Sequence, residues 1–274
     1  MKVKIGICQM NVVDNKNTNL NNAKKLIIKA VKLGAKIVCL PEMFNCLYEN
    51  NSFINNAEEQ GGKTYQYLSN TAKELAVYLV GGSISEKCDN HLYNTSYVFN
   101  PKGELIAKHR KVHLFDIEVK DKIHFKESDT FTAGNKFTIF NTEYGTFGLA
   151  ICFDIRFVEQ FRVMALQGAK AIFVPGAFNM TTGPAHWHLS FRARAVDNQL
   201  YMIGCAPARN TKSTYVSFGN SLVTNPWGEV EVALDEKQNV VVTEIDFSNV
   251  DEIRKQLPIL KNRRTDLYDI KIHS

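Results

Sequence analysis

The chain is punctuated by short apolar runs rich in β-branched residues, and helical patterns lie between several of them. Most runs are bounded on at least one side by Gly, Pro, Asn or Asp, which is typical of strands. The predicted strands are Val3–Cys8, Ile37–Leu40, Val77–Val80, Thr95–Phe99, Phe147–Ile151, Ala171–Val174, Tyr201–Cys205, Ser221–Thr224 and Val240–Ile245. Strands that alternate with helices predict an α/β fold, and the strand-rich stretches predict a mixed sheet or two packed sheets.

Several helical patterns have recognisable ends. In Thr18–Leu33 the apolar residues recur at helical spacing, which predicts a helix with Thr18 as its N-cap and Gly34 at its stop. The turn residues Pro226-Trp227-Gly228 predict a hairpin turn between two strands. Further helices are predicted over Thr64–Ala76, Val158–Gln167 and His186–Asn198.

Length and composition limit the classes of function. The 274 residues, of which 45% are hydrophobic, are enough for one large core, and no linker or repeat interrupts them. Residues 1–274 are therefore predicted to form a single domain. The formal net charge of +5 is too mild to indicate a nucleic-acid partner. No apolar stretch approaches the roughly 18 residues of a membrane span, and six cysteines without a Cys-x-x-Cys pair favour a cytoplasmic location.

Two polar side chains follow predicted strands at their carboxyl ends, where α/β folds gather ligands. Glu42 comes just after the strand Ile37–Leu40, and a buried carboxylate needs either a cation or backbone donors. Cys152 ends the strand Phe147–Ile151 and precedes a helical pattern. Backbone N–H groups and a helix N-terminus would stabilise the thiolate there. The alternative is a buried structural thiol.

A basic segment, Lys108–Phe115, lies between these two positions and is followed by a loop that contains Glu127. A solvated charge run is the commoner explanation of such a segment. Together, however, a cysteine, a carboxylate and a lysine suffice for acyl transfer. The carboxylate takes the thiol proton, and the lysine stabilises the oxyanion beside a backbone N–H. No metal is required, and no HExxH-type ligand spacing occurs in the sequence.

Three separate motifs resemble those of the nitrilase superfamily of carbon–nitrogen hydrolases. They are Leu40-Pro41-Glu42, Arg110-Lys111-Val112-His113-Leu114 and Ala150-Ile151-Cys152-Phe153-Asp154-Ile155-Arg156-Phe157. The resemblance extends from Lys4 to about Ile270, which is essentially the whole chain. It implies a four-layer αββα sandwich, an enzyme that uses no metal or cofactor, and a homodimer.

Further segments are similar to the ω-amidase branch of this superfamily. They are Phe115-Asp116-Ile117, Phe125–Ser128, Gly176–Trp187, Arg194–Gln199, Asn225–Val230 and Arg264–Tyr268. The Gly-Pro-Ala-His-Trp stretch and the Trp-Gly turn also occur in neighbouring branches, so they indicate the superfamily more than the substrate. Cys-Phe-Asp stands here where relatives commonly have Cys-Tyr-Asp, which removes one hydroxyl near the cysteine.

The resemblance implies a role for each matched residue. Cys152 would attack the amide carbon and form a thioester. Glu42 would take the thiol proton, pass it to the departing ammonia and then activate water. Lys111 and the backbone N–H of Phe153 would hold the oxyanion, and Glu127 would position the lysine and the substrate.

The implied substrate is a small 2-oxo dicarboxylic acid monoamide, such as 2-oxoglutaramate or 2-oxosuccinamate, which reacts with water. Its free carboxylate needs a cation, and Arg156 is the candidate. Arg156 has an alternative explanation, an ion pair with Glu159 or contact with a neighbouring helix. Tyr48, Phe115 and Thr182 are expected to line the substrate pocket.

Two other functions remain open from the sequence. The first is another amidase of the same superfamily, which acts on an N-carbamoyl compound or deaminated glutathione with the same catalytic residues. The second is an inactive scaffold that uses the fold to bind a partner. The presence of Glu42, Lys111 and Cys152 argues against the scaffold, because loss of any one of them would be expected there.

Overall fold

The computed structural model describes residues 1–120 and 123–272. The first group of strands is β1 (Lys2–Gln9), β2 (Ile37–Cys39), β3 (Glu58–Glu59), β4 (Tyr78–Val80), β5 (Ile84–Cys88), β6 (His91–Phe99), β7 (Leu105–Arg110), β8 (Asp116–Val119) and β9 (Ile123–Lys126). The second group is β10 (Thr138–Thr142), β11 (Gly145–Leu149), β12 (Ala171–Pro175), β13 (Tyr201–Cys205), β14 (Leu222–Thr224), β15 (Val230–Ala233) and β16 (Asn239–Asp246).

The α-helices are α1 (Lys16–Lys32), α2 (Asn50–Asn55), α3 (Lys63–Leu75), α4 (Val158–Leu166), α5 (Gly183–Asn198) and α6 (Phe247–Gln256). Two short 3₁₀ helices, Glu127–Asp129 and Cys152–Arg156, contain residues singled out by the sequence. No helix in the part of the chain that the structure describes is both long enough and apolar enough to cross a membrane.

Two large sheets form the centre of the molecule. The first has eight strands in the order β16-β1-β2-β4-β6-β5-β3, with β7 paired to β6. The second has six strands in the order β10-β11-β12-β13-β14-β15. Strands β1, β2 and β4 run parallel, as do β11, β12 and β13. Parallel strands need crossover connections that cover their faces, which places helices on the outside of both sheets.

The sheets pack against each other and each carries helices on its outer face. The core between them joins Ile5 and Ile7 of β1 to Phe147 of β11 and Phe173 of β12. Helices α1 and α3 pack on the first sheet, and helices α4 and α5 pack on the second. This arrangement is a four-layer αββα sandwich, and it confirms the predicted fold.

Each predicted strand overlaps an observed one, although the predicted Thr95–Phe99 belongs to a longer strand that begins at His91. The predicted start of α1 is wrong. The helix begins at Lys16, and the side chain of Asn15 caps it by accepting the Thr18 N–H at 2.9 Å. Thr18 is therefore inside the first turn, because Asn15 already supplies the cap that this turn needs.

The predicted stop of α1 and the predicted hairpin turn are confirmed. Gly34 follows the end of α1 with φ +94°, a conformation that glycine adopts without strain. Between β14 and β15 the backbone N–H of Asn225 donates to the Glu229 carbonyl at 2.9 Å, and this bond closes the Trp227-Gly228 turn.

Candidate active site

A buried lysine lies between two buried carboxylates near the end of β7. The Nζ of Lys111 is 2.9 Å from Oε1 of Glu42 and 2.7 Å from Oε2 of Glu127, and all three side chains are fully buried. Burial alone would lower the pKa of Lys111, but the carboxylates of Glu127 and Glu42 raise it above its ordinary value. The lysine therefore stays charged, and it joins two residues that are far apart in the sequence.

Backbone N–H groups complete the binding of both carboxylates. The Ala177 N–H, just beyond β12, donates to Oε2 of Glu42 at 2.8 Å. The Phe115 N–H donates to Oε2 of Glu127 at 2.7 Å. Both explanations that the sequence left open for Glu42 thus hold together, because it pairs with a cation and also accepts a backbone hydrogen bond.

Two glutamates and one lysine leave an excess of negative charge in the cluster when both glutamates are ionised. Burial raises the pKa of Glu127, Lys111 lowers it, and Glu42 raises it again, with the balance above the ordinary value for a glutamate. Neutral donors are therefore needed around the carboxylates. The side chain of Asn94, in β6, is one of them, and it donates to Oε1 of Glu42 and to Oε1 of Glu127, each at 2.9 Å.

Cys152 occupies a turn directly after β11 in a strained backbone conformation. Its φ is +47°, in the left-handed region that favours glycine, and only 3% of its surface is exposed. The loop after β12 packs closely against it. A Cβ placed on Gly176 would lie 3.3 Å from the Cα of Cys152, so this contact leaves little room for a side chain.

The predicted stabilisation of a Cys152 thiolate by a helix N-terminus is wrong. The residues after Cys152 form a 3₁₀ helix, and α4 begins only at Val158. Burial raises the pKa of the Cys152 thiol well above its ordinary value, Glu42 raises it further, and Lys111 lowers it by less. The thiol is therefore neutral at rest, because desolvation and the neighbouring carboxylate both oppose ionisation. A base is needed to remove its proton.

The residue after Cys152 presents a backbone donor at the same turn. Within residues 1–120 and 123–272, the Phe153 N–H makes no hydrogen bond to a backbone or side-chain acceptor. The Phe153 ring packs edge-on against Phe115, with ring centroids 5.3 Å apart. The turn thus offers a free N–H at the position predicted for an oxyanion donor.

Asp154 ties the Cys152 turn to β7 and the residues that follow it. Its carboxylate accepts the Ile151 N–H at 3.0 Å and the His113 N–H at 2.9 Å, and lies 2.8 Å from Nδ1 of His113 and 3.1 Å from Nε2 of His109. Burial opposes ionisation of Asp154, but the hydrogen bonds from His109 and His113 outweigh it and hold its pKa well below the usual range. Asp154 therefore links the segment that carries Cys152 to the segment that carries Lys111.

Aromatic side chains from separate loops cover this cluster. The Tyr48 hydroxyl donates to Oε1 of Glu42 at 3.4 Å, and its ring stacks on Tyr215 with centroids 4.4 Å apart. Phe125, in β9, lies 5.7 Å from the Tyr48 ring and 6.1 Å from the Phe115 ring. The structure thus brings Tyr48 and Phe115 beside the cluster, together with two aromatic residues that the sequence analysis missed, Phe125 and Tyr215. Contact of Tyr48 and Phe115 with the substrate stays a prediction.

Arg156 is half-buried on the other side of Phe153. Its guanidinium lies 5.6 Å from the Phe153 ring and 5.1 Å from the Phe178 ring, and it is 3.2 Å from Nδ1 of His186 in α5. Among the described residues no carboxylate pairs with it, so the predicted alternative of a Glu159 ion pair is wrong and the contact with a neighbouring helix is present.

Thr182 is buried just before α5, and the structure does not join it to the carboxylate cluster. Its N–H and hydroxyl both donate to Oδ1 of Asn179, at 2.9 Å and 3.2 Å. Its contact with substrate stays a prediction.

The space beside the cluster is small. A cavity of about 30 Å³ is bordered by Glu42, Tyr48 and Tyr215. A larger cavity of about 570 Å³ lies between α4, the end of α5 and the C-terminal segment, and contains none of the residues predicted for catalysis. The first cavity is the candidate site, because Glu42 borders it and pairs with the buried Lys111.

The sequence profile of the Carbon-nitrogen hydrolase family matches residues 4–255. The chain belongs to the carbon–nitrogen hydrolase family. This carbon–nitrogen hydrolase is 48% identical to omega-amidase NIT2-A of Xenopus laevis over 270 residues, which are 98% of each chain. It is 45% identical to omega-amidase NIT2 of Homo sapiens over 269 residues, again 98% of each chain.

Solved structures agree with the fold of this carbon–nitrogen hydrolase. Saccharomyces cerevisiae Nit3, a nitrilase superfamily member, superposes with a TM-score of 0.88 at 39% identity and covers 96% of this chain and 97% of that one. The NitFhit protein of C. elegans gives a TM-score of 0.90 at 31% identity, over 98% of this chain and 66% of that longer one. The family and fold predicted from the sequence are thus confirmed.

Proposed function

We propose that this carbon–nitrogen hydrolase is an ω-amidase that releases ammonia from the terminal amide of 2-oxoglutaramate and 2-oxosuccinamate. The observation that carries the proposal is the buried cluster of Glu42, Lys111 and Glu127 against the thiol of Cys152. Similarity to omega-amidases over nearly the whole chain supports the choice of substrate class.

In the first half of the proposed reaction, Glu42 takes the proton of the Cys152 thiol as the sulfur forms a bond to the amide carbon. The carbonyl oxygen becomes an oxyanion, which Lys111 and the Phe153 N–H stabilise. Glu42 then gives the proton to the amide nitrogen, the carbon–nitrogen bond breaks, and ammonia leaves a thioester behind. The raised pKa of the thiol supports the need for a base at this step.

In the second half, water hydrolyses the thioester. Glu42 takes a proton from the water as its oxygen bonds to the thioester carbon. The carbon–sulfur bond then breaks, and Glu42 returns the proton to the sulfur of Cys152. The product is a carboxylic acid, and the thiol is restored. Glu127 keeps Lys111 in place through both halves, because it binds the ammonium at 2.7 Å.

The substrate's free carboxylate is proposed to bind Arg156. No carboxylate of residues 1–120 and 123–272 pairs with this half-buried guanidinium, so its charge is poorly compensated there, and an anionic ligand would compensate it. The aromatic rings of Tyr48 and Phe115 restrict the pocket to small substrates, and Thr182 is proposed to lie at its far end. An N-carbamoyl compound or deaminated glutathione is the alternative with the same catalytic residues. The scaffold alternative is disfavoured by the complete cluster.

We also propose a cytoplasmic homodimer. Leu189, Val196 and Trp227 are 66%, 41% and 55% exposed on α5 and the adjacent turn, and a second copy would cover these apolar side chains. All six cysteines are free thiols, which suits a reducing compartment. Sedimentation of the wild type and of Leu189→Asp tests the dimer. A monomeric wild type would contradict it.

The experiment for the proposed function is ammonia release from 2-oxoglutaramate by the wild type, by Cys152→Ala and by Cys46→Ala. Cys46 is a second buried thiol whose pKa burial raises to about 12, so it is a matched control for the loss of a buried sulfur. We expect release by the wild type and Cys46→Ala only. Full activity of Cys152→Ala would overturn the mechanism, and a wild type active only on N-carbamoyl or peptide amides would overturn the substrate.

A further inference from the structure

The side-chain amide of Asn94 links the two carboxylates of the site through one nitrogen. Its carbonyl oxygen is buried and accepts no hydrogen bond from any residue that the structure describes. An unsatisfied buried acceptor destabilises a fold, and asparagine is disfavoured inside strands such as β6. Stability alone therefore does not account for asparagine at this position.

The two oxygens of the Glu42 carboxylate have different surroundings. Oε1 accepts hydrogen bonds from Lys111 at 2.9 Å, from Asn94 at 2.9 Å and from Tyr48 at 3.4 Å. Among the described residues Oε2 accepts one, from the Ala177 N–H at 2.8 Å, and Ala177 follows Gly176, which packs against the Cα of Cys152. An ionised carboxylate has about two lone-pair sites on each oxygen, so Oε1 is saturated and Oε2 has a site free.

We propose that Asn94 is a positioning residue that makes Oε2 of Glu42 the oxygen that removes the Cys152 proton. The inference rests on the proposed function, in which Glu42 is the base. During attack the sulfur–hydrogen bond breaks, the proton forms an O–H bond with Oε2, and the sulfur electron pair bonds to the amide carbon. Asn94 acts through the two glutamates. Its amide nitrogen occupies Oε1 of Glu42 and binds Oε1 of Glu127 at the same distance of 2.9 Å.

The ionisable groups around Glu42 determine how a substitution of Asn94 changes a pH profile. They are Lys111, Glu127, Cys152, Tyr48 and Tyr215. Lys111 stays charged, and burial raises the pKa values of Tyr48, Tyr215 and Cys152 well above their ordinary values. Burial raises the pKa of Glu127 above its ordinary value, and the hydrogen bond from Asn94 acts to lower it. Loss of that bond therefore favours the protonated form of Glu127.

The test compares Asn94→Leu and Asn94→Asp with the control Asn19→Leu. Asn19 is also a fully buried asparagine, but its side chain donates to the Val13 carbonyl at 2.7 Å and accepts the Val13 N–H at 2.9 Å, so both of these bonds are to backbone. We measure kcat, KM and the pH profile of kcat/KM, together with the thermal unfolding temperature and the pH profile of Cys152 alkylation by iodoacetamide, followed by mass spectrometry. The alkylation profile reports removal of the Cys152 proton without requiring the substrate to be known.

For Asn94→Leu we expect kcat to fall about tenfold or more with little change in KM, and the acid limb of both profiles to move up by about one pH unit. Asn94→Asp should move the limb further, because a third carboxylate joins the cluster. Asn19→Leu should lower the unfolding temperature and leave both limbs in place. An unchanged acid limb in the Asn94 variants would overturn the inference, and Asn94→Asp decides it alone where Asn94→Leu does not fold.

The two proposals fail in different ways. If the wild type releases no ammonia from 2-oxoglutaramate but the profile of Cys152 alkylation shifts in the Asn94 variants, the substrate is wrong and the role of Asn94 stands. If the wild type is active and neither profile shifts, the ω-amidase function stands and the role of Asn94 is wrong.

Discussion

The ammonium nitrogen of Lys111 lies 2.7 Å from Oε2 of Glu127, and neither side chain is exposed to solvent. An ion pair of this kind is costly to break from one side only, because the remaining charge is left buried and uncompensated. In this site the remaining charges would be two carboxylates, since Glu42 binds the same lysine at 2.9 Å. Lys111 therefore has a structural and a proposed catalytic task, and the two can be separated by measurement.

Replacement of Lys111 by alanine is expected to lower kcat by about 10²–10³, the range typical of losing an oxyanion donor. The unfolding free energy should also fall, by about 3–5 kcal/mol, because the carboxylates lose their cation. Ammonia release by protein shown to be folded by circular dichroism checks the first effect. Lys108→Ala is the control, since Lys108 lies in β7, which ends just before Lys111, and pairs with Glu86 away from the site. A loss in Lys111→Ala no larger than in the control would make the lysine peripheral.

The sequence predicted those parts of the site that follow strands. Glu42 and Cys152 come just after apolar runs, so the carboxyl-end rule places them together, and the structure joins them through the loop after β12. The family resemblance added Lys111 and Glu127. Their 2.7 Å contact depends on the antiparallel pair of β8 and β9, which lies between them in the sequence.

The sequence did not predict the site residues that come from distant segments and contribute a single hydrogen-bonding group. Asn94 is a polar residue in the middle of β6, and its sequence signal is only that an asparagine is unusual in a strand. Tyr215 reaches the site from an irregular loop between β13 and β14, where its hydroxyl donates to the Ala177 carbonyl. The predicted stabilisation of a Cys152 thiolate was also wrong, because burial opposes ionisation of the thiol and α4 begins only at Val158, after a short 3₁₀ helix.

Asp154→Asn is expected to lower the unfolding free energy by about 2–4 kcal/mol at neutral pH, because the carboxylate holds buried hydrogen bonds to two segments. The pKa of Asp154 is lowered on folding, so its stabilisation is present above the ordinary pKa of 3.8 and is lost as pH falls below it. The difference between wild type and variant should therefore shrink below about pH 4. Urea unfolding at several pH values measures this.

The control for Asp154 is Asp197→Asn, at an aspartate whose side chain is 47% exposed and pairs with Arg194 on the surface of α5. Its change in unfolding free energy should stay below about 1 kcal/mol at every pH. If the difference in unfolding free energy between wild type and Asp154→Asn does not depend on pH, the Asp154 carboxylate does not link the Cys152 turn to His113 as described.

The variant Arg156→Gln tests whether Arg156 binds the substrate without taking part in the bond-breaking steps. If the guanidinium binds the free carboxylate of the substrate, its loss should raise KM for 2-oxoglutaramate about 10- to 100-fold, the cost of a hydrogen bond to a charged group. The rate with an uncharged small amide should change little. Arg162→Gln is the matched control, because Arg162 lies in α4 and donates to the Asp197 carbonyl. Equal effects of Arg156→Gln on charged and uncharged amides would exclude a carboxylate site there.

The left-handed backbone conformation of Cys152 leads to a prediction about stability that does not depend on catalysis. A non-glycine residue at φ +47° costs roughly 1–2 kcal/mol, and that cost remains in Cys152→Ala. Cys152→Gly relieves the strain but adds about 0.5–1 kcal/mol of chain entropy to the cost of folding. We therefore expect the glycine variant to be at least as stable as the alanine variant in urea unfolding, and both to be inactive. At the exposed Ala185 of α5, glycine should instead destabilise. A glycine variant less stable than the alanine variant would show that the turn is unstrained, and the position of the thiol would then be set by packing alone.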